Sequence, residues 1–177
     1  MSSVLVLLVG CGPAPEDIAK AIASENPVMR EDGAKIAQNY DDPAVVDALI
    51  EVLSDPSEKV RLNAVESLAE LEASAAIPAL TDSLNGDPSP KAKRAAADAL
   101  GRLKAKEAIP DLIAYVDSFA PDDRGQLAAL WAVGNIGGEG LPADAKARAL
   151  EILVSRREGT TDKFILYTAN YALRTLK

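Results

Sequence analysis

Two stretches of the chain echo each other at a distance of 32 residues. Asp55 to Asn85 reads DPSEKVRLNAVESLAELEASAAIPALTDSLN, and Asp87 to Asp117 reads DPSPKAKRAAADALGRLKAKEAIPDLIAYVD. A fixed period of this length marks a stacked array, in which each unit cannot bury its apolar face alone and packs it against its neighbours. Within each copy the apolar spacing is helical. Val60, Ala64, Val65, Leu68 and Leu71 recur at three and four residues, and the next copy repeats them as Ala92, Ala96, Ala97, Leu100 and Leu103. Ile77, Leu80 and Leu84, matched by Ile109, Leu112 and Val116, mark a second, shorter helix. Each unit is therefore a helical hairpin, and the fold class expected is an all-α, right-handed α-solenoid of about five hairpins.

The pattern extends in both directions. Val46, Leu49 and Leu53 precede Ile77, Leu80 and Leu84 by 31 residues, while Ala129, Leu130, Val133 and Ile136 follow Ala96, Ala97, Leu100 and Leu103 by 33. A last helix fits Ala169, Leu173 and Leu176 only at an offset of 40. The additional length falls around Gly137-Gly138-Glu139-Gly140, which reads as a helix stop and linker. Ten helices are predicted, near 14–24, 27–39, 43–54, 57–71, 75–85, 89–103, 107–118, 122–137, 143–157 and 161–176. Asp42-Pro43, Asp55-Pro56 and Asp87-Pro88 each place a capping carboxylate or a fixed-φ proline at a first turn.

Composition narrows the function. Aromatic residues make up only 4% of the chain, which suits small-residue contacts between closely packed helices. The net charge of -8 disfavours nucleic acid, whose phosphates are gripped by clustered Lys and Arg. That charge is uneven: residues 1–72 carry 5 basic and 14 acidic side chains, and residues 73–177 carry 14 and 13. Histidine is absent, so the commonest general base and metal ligand is missing, and no Ser, Thr or Tyr has an identifiable base. The single cysteine, Cys11, rules out an internal disulfide and a cysteine-built zinc site. No catalytic residue, metal, cofactor or small-molecule substrate is expected.

The first residues, MSSVLVLLVG, form an uncharged apolar run that ends at Cys11 and is followed by Gly-Pro-Ala-Pro. Leu8-Val9-Gly10-Cys11 resembles the lipobox of bacterial lipoproteins. The resemblance implies a signal peptide over 1–10 that is cleaved, a lipid on Cys11, a short linker over 11–15 and a solenoid over 16–177. It departs from the pattern in having no Lys or Arg before the apolar run, and in an apolar stretch shorter than about 7 residues. A frayed terminus or a strand docked on the array is the competing reading. Gly12 stands where an Asp would resemble an inner-membrane retention signal, so the implied location is the periplasmic side of the bacterial envelope, at the outer membrane; a cytoplasmic location is the alternative.

The hairpins resemble short bacterial HEAT repeats, of the kind also found in phycobilisome lyases, through Asp-Pro, Val60-Arg61, Ala64, Leu68 and Ala76-Ile77-Pro78-Ala79-Leu80, and then Asp87-Pro88, Lys93, Ala96, Leu100-Gly101 and Ala108-Ile109-Pro110. The resemblance implies a polar ladder between units, with Asp55 and Asp87 as acidic rungs and Arg61 and Lys93 as basic ones. Ala120 and Gln126 occupy those positions in the third unit, so the ladder is expected to stop there. It also implies an interaction scaffold, with a chromophore-lyase-like accessory as the rival.

Placing the second helices in register gives two rows on the inner face. One reads Ala34, Glu66, Asp98, Trp131, Tyr171, and the other reads Arg30, Leu62, Arg94, Leu127, Tyr167. Both pass from charged or polar to apolar and aromatic. Exposed Trp beside Tyr is the composition of a binding hot spot. Leu127, Trp131, Tyr167 and Tyr171 are therefore the candidate contacts for a protein or peptide, against the reading that they pack under the last hairpin. A basic patch of Lys91, Arg94 and Arg102 is a secondary candidate, although Arg102 falls beside Glu70 of the preceding unit. A third possibility is self-assembly through the aromatic end.

Overall fold

The computed structural model describes residues 12–120 and 123–177, so Cys11 and the cleaved segment expected over 1–10 lie outside the described residues. Ten α-helices follow one another there: α1 (Pro15–Ile22), α2 (Pro27–Ile36), α3 (Pro43–Glu51), α4 (Glu58–Glu70), α5 (Ile77–Gly86), α6 (Pro90–Arg102), α7 (Ile109–Asp117), α8 (Leu127–Ile136), α9 (Ala143–Gly159) and α10 (Lys163–Thr175). Single 3-10 turns extend several of them, at Ala37–Asn39, Val52–Ser54, Ser74–Ala76, Lys106–Ala108 and Arg124–Gln126. Each predicted helix is present, with ends displaced by a few residues.

Helix starts are fixed locally. Asn26, Asp42, Ser89 and Asp162 accept backbone N–H groups of the first turn through their side chains, and Pro27, Pro43 and Pro90 occupy positions where no N–H is needed. Asp55 and Asp87 do not cap in this way. Each lies two residues before the N-cap serine and accepts the backbone N–H of Ser57 or Ser89 through Oδ1, while both of its oxygens accept from an arginine of the preceding unit. The ends of α4 and α6 repeat one device. The N–H groups of Ala73 and Ala105 donate to the carbonyls of Leu68 and Leu100, while Glu72 and Lys104 take left-handed φ values of 50° and 52°. After α8 that position is Gly137, at φ 73°.

The hairpins stack in two layers. α1 on α3 and α5 on α7 on α9 form the first; α2, α4, α6, α8 and α10, each packed on the next, form the second. Contacts are most extensive between α6 and α8 and between α8 and α10, which draws the second layer together as the inner, concave side of the stack. A continuous apolar seam runs between the layers, including Leu49, Leu68, Leu84, Leu100, Leu112, Leu130, Leu153 and Ile165, all essentially inaccessible. Among the described residues no helix is long and apolar enough to cross a membrane.

Two glycines set the close approach within the second layer. A Cβ on Gly101 would lie 2.6 Å from the Ala132 Cα and 3.3 Å from the Trp131 ring, and a Cβ on Gly134 would overlap the Tyr171 ring. The same arrangement thus recurs one unit on: a glycine of one helix receives an aromatic and an alanine of the next. Burial also supports the offset of 40 for the final helix. Ala169, Ala172, Leu173 and Leu176 are buried like Ala129, Ala132, Val133 and Ile136. Asn170 and Arg174, which stand in register with buried Leu130 and Gly134, are exposed. The outer side of α10, where a further hairpin would dock, thus carries Asn170 and Arg174 beside the exposed Leu166.

Candidate functional site

The ladder between units begins earlier than the sequence pattern suggests. Arg30 pairs with Asp55, and Arg61 pairs with Asp87 through Nε at 2.7 Å and Nη2 at 2.9 Å. Both arginines also donate to carbonyls behind them, Arg30 to that of Ser24 and Arg61 to that of Asp55. Arg30 is thus the equivalent of Arg61, and Ala34, fully buried, is the equivalent of Val65. This corrects the first member of each inner row by one residue, from Ala34 to Lys35 and from Arg30 to Glu31. Burial pushes the Asp55 and Asp87 carboxyls up, but the arginine hydrogen bonds and the serine N–H groups outweigh it and hold both below the usual carboxylate range. Lys93 closes on the Asn85 carbonyl at 2.8 Å instead of an acid, and Gln126 on that of Ala120 at 3.2 Å. Arg156, on α9, then binds the end of α7 through the Phe119 and Asp117 carbonyls and the Asp117 carboxylate.

Beyond the last rung the inner face changes character. A groove of about 390 Å³ runs across α6, α8 and α10, lined by Asp98, Leu127, Ala128, Trp131, Phe164, Tyr167 and Thr168. Three of the four candidate contacts, Leu127, Trp131 and Tyr167, meet there. Tyr167 is 72% exposed and Phe164 52%, while Trp131 is half-buried with one edge against α6 at Gly101. Tyr171 is not among the lining residues: its ring lies on Gly134 and its hydroxyl donates to Asn135 Oδ1 at 3.1 Å. Gly134, having no side chain, leaves a recess that the ring fills, so this tyrosine joins α10 to α8.

Phe164 was not legible in the rows because it lies one turn before Tyr167, outside the matched positions of the last helix. Its ring carries two cations, the Arg124 guanidinium at 4.8 Å and the Lys163 ammonium at 5.4 Å from the centroid. Arg124 is bound in turn to Asp162 through Nε at 2.7 Å, and this hydrogen bond holds the Asp162 carboxyl below its ordinary range. Asp98 differs: partial burial pushes its carboxyl up, opposed only by the charge of Arg102.

The basic patch divides. Lys91 and Arg94 are exposed on α6, whereas Arg102 is held by Glu70 at 2.9 Å, as the register of the copies predicts. A larger groove, about 570 Å³, opens on the other layer where α3 and α5 splay, lined by Ile50, Leu53, Ala79, Asp82 and the Arg61–Asp87 rung. Apart from the exposed Asp82 its charged wall is already paired, and it has no aromatic lining. The concave groove is therefore the better contact site. Among the described residues no group of His, Cys, Asp or Glu is placed to hold a metal ion.

Two layers of stacked hairpins with a laterally open groove on the inner one define an α-solenoid. The chain belongs to the HEAT repeat family, whose model matches residues 15–88 and 77–174. No curated protein sequence matches it. Among solved structures it is similar to the complex of CpcE and CpcF of phycocyanin lyase from Nostoc sp. PCC7120, at 26% identity and a TM-score of 0.77, covering 99% of this chain and 70% of that one. It is also similar in fold to an engineered protein from a structural genomics consortium, at 20% identity and a TM-score of 0.68, covering 92% of this chain and 81% of that one.

Proposed function

We propose that the chain is a non-catalytic interaction scaffold that holds a protein or peptide on its concave face, with Leu127, Trp131, Phe164 and Tyr167 as the contact. The observation that carries this reading is the exposure of Phe164 and Tyr167 beside Trp131 in one groove. Isolated apolar residues on a surface need no explanation, but grouped aromatics in a concavity are the usual anchors of an interface. Scaffolding is also what a stacked helical array offers, since its inner surface is extended and laterally open. In extracts of the native host, the chain is expected to retain a protein partner that the Trp131→Ala, Tyr167→Ala double variant loses while keeping its helicity. Equal retention by both forms contradicts the reading.

The scaffold is further proposed to be tethered through a lipid on Cys11 to the periplasmic side of a bacterial envelope, which would raise the effective concentration of whatever it recruits. The apolar run ending at Cys11 supports this. Intact mass of the membrane-extracted native protein is expected to give a lipidated chain beginning at Cys11. An unmodified chain beginning at Met1 contradicts the tether.

A second reading, a cytosolic enzyme accessory of the chromophore-lyase kind, is supported by the likeness to the CpcE and CpcF complex over 99% of this chain. It predicts that the chain alters the rate of a lyase reaction on phycocyanin. The tethered scaffold predicts no change.

A further inference from the structure

We propose that the concave groove receives an arginine side chain of the partner, with its guanidinium between the Trp131 and Tyr167 rings and bound to the Asp98 carboxylate. This inference rests on the scaffold reading and names what the groove takes.

The argument starts from charge. Asp98 is the only ionisable carboxylate among the lining residues; the remaining lining is Leu127, Ala128, Trp131, Phe164, Tyr167 and Thr168. No hydrogen bond or ion pair joins Asp98 to another described residue. Arg102, one turn further along α6, is taken by Glu70. Asp98 is exposed and is the one carboxylate of this lining. The groove therefore presents an accessible negative charge to an arriving cation, beside rings whose faces attract cations.

The neighbouring element shows the same chemistry already completed. Arg124 lies over the Phe164 ring at 4.8 Å and binds Asp162 at 2.7 Å, so one guanidinium is held by one aromatic face and one carboxylate. Trp131, Tyr167 and Asp98 supply that combination a second time, with no guanidinium of the described residues in it. Arginine suits the site better than lysine. Its planar guanidinium stacks on aromatic faces and forks onto a carboxylate, whereas an ammonium does neither and is more strongly hydrated. A groove of about 390 Å³ has room for the alkyl stem along Leu127 and Ala128. The opposing feature is Arg94 on the preceding turn of α6, which is exposed and disfavours a partner with many cations. The occupant is accordingly a single arginine in a mostly neutral segment.

Trp131 is the only tryptophan in the chain, so its fluorescence reports the groove directly. Full-length protein would be titrated with acetyl-Leu-Arg-Leu-amide and with the same peptide carrying norleucine, lysine or glutamate in place of arginine. Saturable change is expected with the arginine peptide, at least tenfold weaker binding for norleucine and glutamate, and weaker binding for lysine. Asp98→Asn is expected to weaken the arginine peptide by at least tenfold while leaving the melting temperature unchanged. Equal binding of the norleucine peptide overturns the inference but leaves the scaffold reading standing as an apolar groove. Preference for glutamate, or no change with the arginine peptide at millimolar concentration, also overturns it. Loss of partner retention in the Trp131→Ala, Tyr167→Ala variant is judged separately.

Discussion

At the scale of single residues, the ion pairs of this chain fall into two energetic classes. Arg61 and Asp87 expose only 8% and 3% of their side chains, so each is out of water and satisfied by the other. Arg102 and Glu70 are 38% and 50% exposed and are screened by solvent. Removing one member of a buried pair strands the other, at a cost of about 3–5 kcal/mol, whereas an exposed pair contributes about 0–1 kcal/mol. Denaturant unfolding is therefore expected to show a loss of about 3 kcal/mol for Asp87→Ala and under about 1 kcal/mol for Arg102→Ala. The depressed Asp55 and Asp87 carboxyls add a pH dependence. A carboxyl whose folded pKa is below its unfolded value of about 3.9 stabilises fully above that value and loses the contribution as pH falls through the folded pKa. Stability should hold from neutral pH to about pH 4 and fall below it, and Asp87→Asn should flatten that fall in urea titrations. Lys104 gives a test of the opposite sign. Its φ of 52° strains a residue with a Cβ, so Lys104→Gly is expected to raise stability by about 1 kcal/mol in the same titration.

At the scale of helices, close packing in the inner layer depends on glycine. An alanine on an exposed helix face would gain up to about 1 kcal/mol of propensity over glycine. At Gly101 the added methyl would meet the backbone of Ala132 at 2.6 Å, and backbone cannot step aside as a flexible side chain can. Overpacking of this kind costs about 1–3 kcal/mol and outweighs the propensity gain. Gly101→Ala is expected to lower the melting temperature and to shift the emission of Trp131, whose edge lies on the same glycine. These elements also show what the sequence could convey. Helices repeat on a period of 32, and the period carries each helix, its inner stripe and the Arg61 and Asp87 rungs directly. It drifts by one residue between the first two units, so a fixed offset aligns Arg30 with Leu62, whereas Arg30 is the counterpart of Arg61. Contacts made outside the period leave no periodic trace. Arg156 on the end of α7 and Phe164 beside Tyr167 both fall in the last two hairpins, where the added loop length breaks the register.

At the scale of the whole molecule, the array is a graded surface: paired charges at the front, an aromatic groove at the back, and an outer side of α10 that sets Asn170 and Arg174 beside Leu166. Asn170 and Arg174 occupy the positions where inner units place Leu130 and Gly134. End-to-end stacking would bury them without partners, which disfavours self-assembly through that helix. Sedimentation across a concentration series is expected to give a monomer, and the Asn170→Leu, Arg174→Gly variant, which restores an internal-type surface, is expected to associate. The groove lies on the inner layer, away from that outer side, and is open to a partner in the monomer. Its occupancy is read most directly by acrylamide quenching of Trp131, with and without the partner retained from the host. The account predicts a quenchable tryptophan in the free chain that becomes shielded when the partner binds. A Trp131 already shielded in the free chain, or one whose quenching the bound partner leaves unchanged, would contradict it.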